Sequence, residues 1–293
     1  MTTVLEADKV SQDLQAQSLI HEAGLIRVRR CRYGPMAYIR HDSYIGRSLD
    51  LYGEFSPGEA EFFSQVLRPG SWALDVGANI GAHTVLFAQK VSPKGAVIAF
   101  EPQRVIHELL STNLMLNGLL NVIPRHAAAG SKEGTLMVPA VNYGVEGNYG
   151  CLGLGKYTEG EPVPIEVIDR LDLPACHLIK VDVEGMELEV LKGAEATIRR
   201  HKPVLYVEND REDKSAALNA FILGLDYDLY WHMTPYYSPK NLFANPHNEF
   251  VGIASINMIG LPKGSSLKLN GVPPVEGVDD TWVKARDRFS SKR

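Results

Sequence analysis

Cysteine is nearly missing from this chain: Cys31, Cys151 and Cys176 are an odd number with no C-x-x-C spacing. That argues against a disulfide framework or a cysteine-rich zinc centre and predicts reduced thiols. A surplus of positive charge is missing too. Thirty Lys and Arg stand against 35 Asp and Glu, a formal net charge of −5, so no global field draws the chain to nucleic acid or to an anionic membrane. The one dense basic cluster, Arg27-Val28-Arg29-Arg30, reads as a solvated strand face. No apolar run is long enough to span a bilayer, and Glu6 and Asp8 stand where a signal peptide would be basic and then apolar. The expectation is a soluble cytoplasmic protein of one or two domains, with a homodimer left open.

What the chain does have is a run of motifs that place carboxylates at strand ends. Trp72-Ala73-Leu74-Asp75-Val76-Gly77-Ala78-Asn79-Ile80-Gly81 reads as a buried strand, a tight turn and a helix start. Gly77 and Gly81 let the backbone bend and a ligand approach, and Asn79 is a residue type that tolerates a left-handed conformation. The glycine spacing departs from G-x-G-x-x-G, and Asp75 would repel a pyrophosphate seated on the helix N-terminus. A nicotinamide dinucleotide is therefore disfavoured. A ligand with a sulfonium, an ammonium and no phosphate suits this turn, and S-adenosyl-L-methionine is such a ligand. Ala96-Val97-Ile98-Ala99-Phe100 then reads as a second buried strand, closed by Glu101-Pro102, where Glu101 is placed to accept hydrogen bonds from ribose hydroxyls.

A further pair of strands ends in acid. Leu178 to Val181 leads into Asp182-Val183-Glu184-Gly185, and Pro203 to Val207 leads into Glu208-Asn209-Asp210. Residues two apart in extended chain point the same way, so Asp182 and Glu184 are expected to face one crevice at the sheet edge. Carboxylates gathered there raise one another's pKa and become usable proton acceptors, with Glu184 first and Asp182 and Glu208 as alternates. Two other readings stay open: the acids cap helices or pair with Lys180 and Arg211, or Asp182, Glu208 and Asn209 offer magnesium its oxygen donors. No residue is assigned to a metal.

Around these motifs the chain divides into residues 1–60, a small cap with a polar helix to about Ser18 and two strands between Leu25 and Ile39; residues 61–262, alternating strands and helices; and residues 263–293, a loosely packed tail. Ser56-Pro57-Gly58-Glu59 carries helix-start chemistry with Ser56 as N-cap. The stretch from Asn142 to Gly160 is too long and glycine-rich for a plain connector. Trp231, Tyr236, Tyr237 and Phe243 are candidates for the wall of an acceptor site, and only His232 and His247 among the histidines fall in that segment.

From Tyr52 to Leu261 the chain resembles the FkbM-type S-adenosylmethionine-dependent methyltransferases. The resemblance rests on Leu74-Asp75-Val76-Gly77-Ala78-Asn79-Ile80-Gly81, on Phe100-Glu101-Pro102, and on Ile179-Lys180-Val181-Asp182-Val183-Glu184-Gly185 with Glu189-Val190-Leu191-Lys192-Gly193-Ala194. It implies an α/β fold, a Rossmann-like class I sheet of seven strands with one antiparallel, here Val251 to Ile259. It also implies O-methylation of a hydroxyl on a sugar or natural product, so a small-molecule or glycan acceptor and no nucleic acid. Asp75, Gly77, Asn79 and Gly81 would form the methionine-side turn, Glu101 would hold the ribose, and Asp182 and Glu184 would lie nearest the methyl. The competing class is a regulatory protein that binds the cofactor without catalysis.

Overall fold

The structure is a computed structural model and describes residues 4–290. The opening segment holds helix α1 (Val4–Ser18), an antiparallel sheet of β1 (Leu19–Ala23), β2 (Ile26–Cys31) and β3 (Gly34–Ile39), and helix α2 (Ile45–Tyr52). Helix α3 (Pro57–Val66) leads to β4 (Trp72–Val76), α4 (Ala82–Val91), β5 (Ala96–Phe100), α5 (Arg104–Leu116) and β6 (Val122–Arg125). A small sheet of β7 (Ala128–Ala129), β8 (Gly134–Val138) and β9 (Glu161–Glu166) then interrupts the alternation. The chain returns through β10 (Leu178–Val181), α6 (Glu187–Lys192), α7 (Glu195–His201), β11 (Val204–Glu208), α8 (Glu212–Leu223), β12 (Tyr227–Pro235) and β13 (Ala254–Pro262), and α9 (Trp282–Ser290) follows.

Seven of these strands form one sheet in the order β12-β13-β11-β10-β4-β5-β6. Strand β13 runs antiparallel to both neighbours, while β11, β10, β4, β5 and β6 are mutually parallel. This is the expected sheet, with its antiparallel strand three residues later than the sequence suggested. The central strands are mainly apolar, Asp75 and Lys180 excepted, because both faces are covered: Phe63, Phe87 and Leu110 from α3, α4 and α5 on one side, and Val190, Ile198 and Ile222 from α6, α7 and α8 on the other. The chain winds outward from β4 to β6 and then crosses back to β10, so the order reverses between β4 and β10. At such a switch point the two outgoing loops part and leave a crevice at the carboxyl ends of the strands. Asp75, Glu101, Asp182 and Glu208 all fall at those ends.

Three local expectations are corrected. Ser56 does not cap α3: it is fully buried with φ 41°, and its hydroxyl lies 3.3 Å from that of Ser255 instead. The cluster at Arg27 is no solvated face, because Arg27 and Arg29 reach Asp50 at 2.6 and 2.8 Å and Arg29 is buried. The segment after Pro262 is anchored at Asp280, which is buried and accepts from Trp231 Nε1 at 3.0 Å and from Arg288 at 2.7 Å; residues 291–293 of that segment lie outside the described residues. No helix among the described residues is long and apolar enough to cross a membrane.

Candidate active site

The turn after β4 is built as its residues require. Gly77, Asn79 and Gly81 have φ of 81°, 50° and 87°, and the amides of Gly77 and Ala78 both donate to the carbonyl of Phe100, at 3.0 and 2.9 Å. Only glycine fits at position 77, where a Cβ would lie 1.8 Å from the carbonyl oxygen of Asp182. The turn and the end of β10 are thus pressed together at the switch point.

Beneath this turn sits a buried charge cluster. Lys180 Nζ donates to the Gly77 carbonyl at 2.9 Å and lies 3.3 Å from Asp75 and 3.4 Å from Asp182. Asp75 is fully buried and its Oδ2 accepts from Thr84 at 2.7 Å. Burial alone would lower the Lys180 pKa, but Asp182, Asp75 and Glu59 together hold it above the usual lysine range. Asp75 therefore braces the turn from below, and neither Asp75 nor Gly81 lines the cavities above it. Strand alternation, not the glycine spacing, decides this: Val76 and Gly77 reach the opening while Asp75 points toward α4.

Two cavities meet over the strand ends. One is largely apolar, lined by Phe100, Pro102, Ala128, Leu152, Leu154 and Met186 among others. The other, of about 1160 Å³ and open to solvent, is acidic and includes Glu59, His83, Asp182, Glu184, Glu208 and Asp210 in its wall. Gly77, Glu101, Gly150, Asp182 and Glu184 line both. Gly150, Cys151, Leu152 and Leu154 come from the irregular stretch expected to be functional.

Glu101 stands at the junction. Its Oε2 accepts from the Asn79 amide at 3.0 Å and its Oε1 from the Gln103 amide at 2.8 Å. Burial pushes its carboxyl up to about 7; the two amides and Lys180 oppose this, and Asp75 adds to it. On the rim, oxygens of Asp182, Glu184 and Glu208 lie within 4.8 Å of one another. The expected strand alternation is not what unites Asp182 and Glu184. β10 ends at Val181, and Glu184 sits in a turn with φ 58° that folds its carboxylate back toward the rim. Burial raises Glu184 and, with the neighbouring carboxylates, raises Glu208 strongly. Glu184 also meets the cation the sequence offered it: Arg211 donates to its Oε2 at 2.6 Å, and the Cys151 thiol to the same oxygen at 3.4 Å. Asn209 has left the cluster, because its amide donates to Ser215 and Asn219 in the core, and Glu184 takes its place beside Asp182 and Glu208.

The aromatic wall is smaller than expected. Tyr236 lines the acidic cavity with Tyr44 and Phe55, but Trp231 and Phe243 are buried in the core and Tyr237 packs on Tyr52. His232 bonds Tyr206 at 2.8 Å and His247 meets Asp8 at 2.7 Å, neither lining these two cavities. The sequence reading missed His83 and Glu59, which do. Glu59 looked like the far half of a capping box. The signal that was available is the period of α3: Glu59 lies on the same face as Phe62 and Phe63 at i+3 and i+4, which is the buried face.

The chain's relatives fit this geometry. A model of the methyltransferase FkbM domain matches residues 75–229, just over half of the chain. Hexuronic acid methyltransferase AglP of Haloferax volcanii is 33% identical over 119 residues, 41% of this chain and 48% of that protein. Methyltransferase sdnD of Sordaria araneosa is 31% identical over 169 residues, 44% of this chain and 62% of that protein. This chain thus spans about half to three fifths of the curated relatives it matches. Among solved structures, methyltransferase FkbM from Methylobacillus flagellatus KT is 18% identical, with 88% of this chain and 59% of that chain covered and a TM-score of 0.45. With the family model matched from Asp75 to Leu229, at the start of β12, this chain belongs to the FkbM methyltransferase family, whose methyl donor is S-adenosylmethionine.

Proposed function

We propose that this chain O-methylates a hydroxyl of a sugar or small natural product, with the donor seated across the junction of the two cavities. The observation that carries this reading is the pairing of an apolar pocket with an acidic cavity, the two joined at Glu101 and Gly77. The apolar pocket suits an adenine, Glu101 a ribose diol, the turn at Gly77 and Asn79 the methionine end, and the carboxylates a sulfonium and an ammonium. Bound there, the donor supplies a methyl already activated by its positive sulfur. The protein's task is to place the acceptor in line with that methyl and exclude water.

Asp182, Glu184 and Glu208 are the catalytic carboxylates of this reading. Their charge faces the transferring methyl, and Glu184 is fixed there by Arg211. Asp75 and Gly81 support the cofactor turn rather than touch its ligand. The relative that methylates hexuronic acid supports a sugar acceptor, and the cavity walls lined by Tyr44, Phe55 and Tyr236 suit a pyranose ring. The test is transfer of labelled methyl from S-adenosylmethionine to a panel of methyl hexopyranosides and methyl hexuronides. The expected result is a labelled ether that survives base treatment. Donor binding with no transfer to any hydroxyl would favour a regulatory role.

Glu101 gives this site a pH dependence. Its carboxyl sits at about 7 when folded and at the ordinary 4.5 when unfolded, so between those values the folded state keeps a proton that the unfolded state has lost. Stability of the free protein is then expected to fall as pH rises from about 4.5 to 7, by roughly 3 kcal/mol from this group. The ionised carboxylate is the better acceptor for a diol, so donor affinity should rise over the same interval. Thermal unfolding and calorimetric titration at pH 6 and 8 check both signs. Affinity that falls with pH would remove Glu101 from the ribose.

A further inference from the structure

Glu59 on α3 and His83 on α4 form a pair that nothing in the reaction outlined above uses. His83 Nε2 lies 3.0 Å from Glu59 Oε2, and the two side chains are only 8% and 5% exposed. Nε2 is thus the ring nitrogen turned to the carboxylate, and His83 stands in the wall of the acidic cavity. Asn257 fixes the carboxylate by donating to its Oε1 at 3.1 Å. Burial would raise the Glu59 carboxyl, but His83, Ser255 and Lys180 outweigh it and hold the group at about 2, so it is ionised. The imidazole is gripped by the rings of Phe55, Phe63 and Phe87, at centroid separations of 5.6, 5.2 and 6.4 Å. An ion pair that only joined α3 to α4 would have no need of a cavity wall. A fixed carboxylate at one nitrogen of an oriented imidazole, with the other ring nitrogen, Nδ1, left to take a proton, makes the parts of a general-base dyad.

We propose that His83, oriented by Glu59, accepts the proton of the hydroxyl being methylated. The inference rests on the methyl-transfer reading above and moves the proton from the rim to this dyad. Glu184, clamped by Arg211 through Oε2, then serves charge balance. The acceptor oxygen uses a lone pair to form the new O–C bond, and the C–S bond breaks with its electrons left on sulfur. The hydroxyl proton passes to the ring of His83, Glu59 stabilises the imidazolium, and the proton returns to water after product leaves. The other charged or titratable groups on this cavity are Glu101, Cys151, Lys180, Asp182, Glu184, Glu208, Asp210, Tyr44 and Tyr236.

The test uses the full chain and whichever glycoside of the panel it methylates fastest. His83→Gln is expected to bind S-adenosylmethionine within about twofold of the unmodified protein while kcat falls roughly 10²–10⁴-fold. His83→Ala should regain rate with added imidazole. If position 83 does not tolerate change, Glu59→Gln is the second variant. It should move the rising limb of kcat against pH to lower pH, since the charge favouring imidazolium is gone, with acceptor KM unchanged. A kcat for His83→Gln within about threefold of the unmodified protein would overturn the dyad. So would loss of the pH limb in Glu184→Gln with its retention in both dyad variants. If the unmodified protein methylates no hydroxyl, the acceptor reading itself fails.

Discussion

Lys180→Met is expected to destabilise the protein by about 3–5 kcal/mol, because it removes the cation paired with the fully buried Asp75. Lys180 is 3% exposed and touches the Gly77 carbonyl, Asp75 and Asp182 together. Methionine fills much of the same space, so the loss is electrostatic rather than a cavity. Among the described residues Asp75 pairs with no other cation, and one of its oxygens already lacks an aligned hydrogen bond. Water cannot enter to solvate it at 0% exposure. A protein of this size should lose on the order of 10 °C in Tm. Thermal or urea unfolding measures it, and Asp75→Asn in the same chain should recover most of the loss, because the stranded charge is then gone. A Lys180→Met protein within about 1 kcal/mol of the parent would mean that Asp75 is not held as a buried carboxylate.

The second large effect belongs to Gly77→Ala. The added Cβ would stand 1.8 Å from the Asp182 oxygen and 2.8 Å from its carbonyl carbon, and φ of 81° is already costly for alanine. Backbone, unlike a side-chain tip, cannot swing aside. The turn must move away from β10, and it carries the amides that bind Phe100 and Glu101 with it. Donor affinity is expected to fall by roughly 100-fold or more, with a stability cost of about 1–3 kcal/mol. Gly81→Ala is the control. Its Cβ would meet Leu110 Cδ1 at 2.7 Å, the free end of a flexible side chain, so it should cost less affinity despite a similar φ. Equal losses in the two variants would show that strain, not the approach to Asp182, sets the effect.

Much of this molecule was legible because the informative residues obey local rules. A strand buried on both faces is mostly apolar along its length, which exposed β4, β5, β10 and β11, and an acid at the end of such a run lies at the sheet edge. Glycine and asparagine at 77, 79 and 81 announced a left-handed turn. What could not be read was the direction of side chains once the chain leaves regular structure. Glu184 joins Asp182 through a left-handed turn rather than through strand alternation. Asn209 follows Glu208 by one residue and so points to the opposite side, into the core. Trp231 looked like a pocket wall because nothing local reveals that Asp280, 49 residues on, receives its indole N–H. The Glu59–His83 pair depends on how two helices cross, and long-range packing of that kind leaves no spacing in the sequence.

Calorimetric titration with S-adenosylmethionine, run on the unmodified protein and on Glu101→Ala, tests most directly whether the junction at the ends of β4 and β5 is the donor site. Saturable one-site binding is expected in the unmodified chain. The variant should bind roughly 10- to 100-fold more weakly, the loss of charge-assisted hydrogen bonds to a diol. Undiminished affinity in Glu101→Ala, or binding of NADH in place of S-adenosylmethionine, would contradict the account.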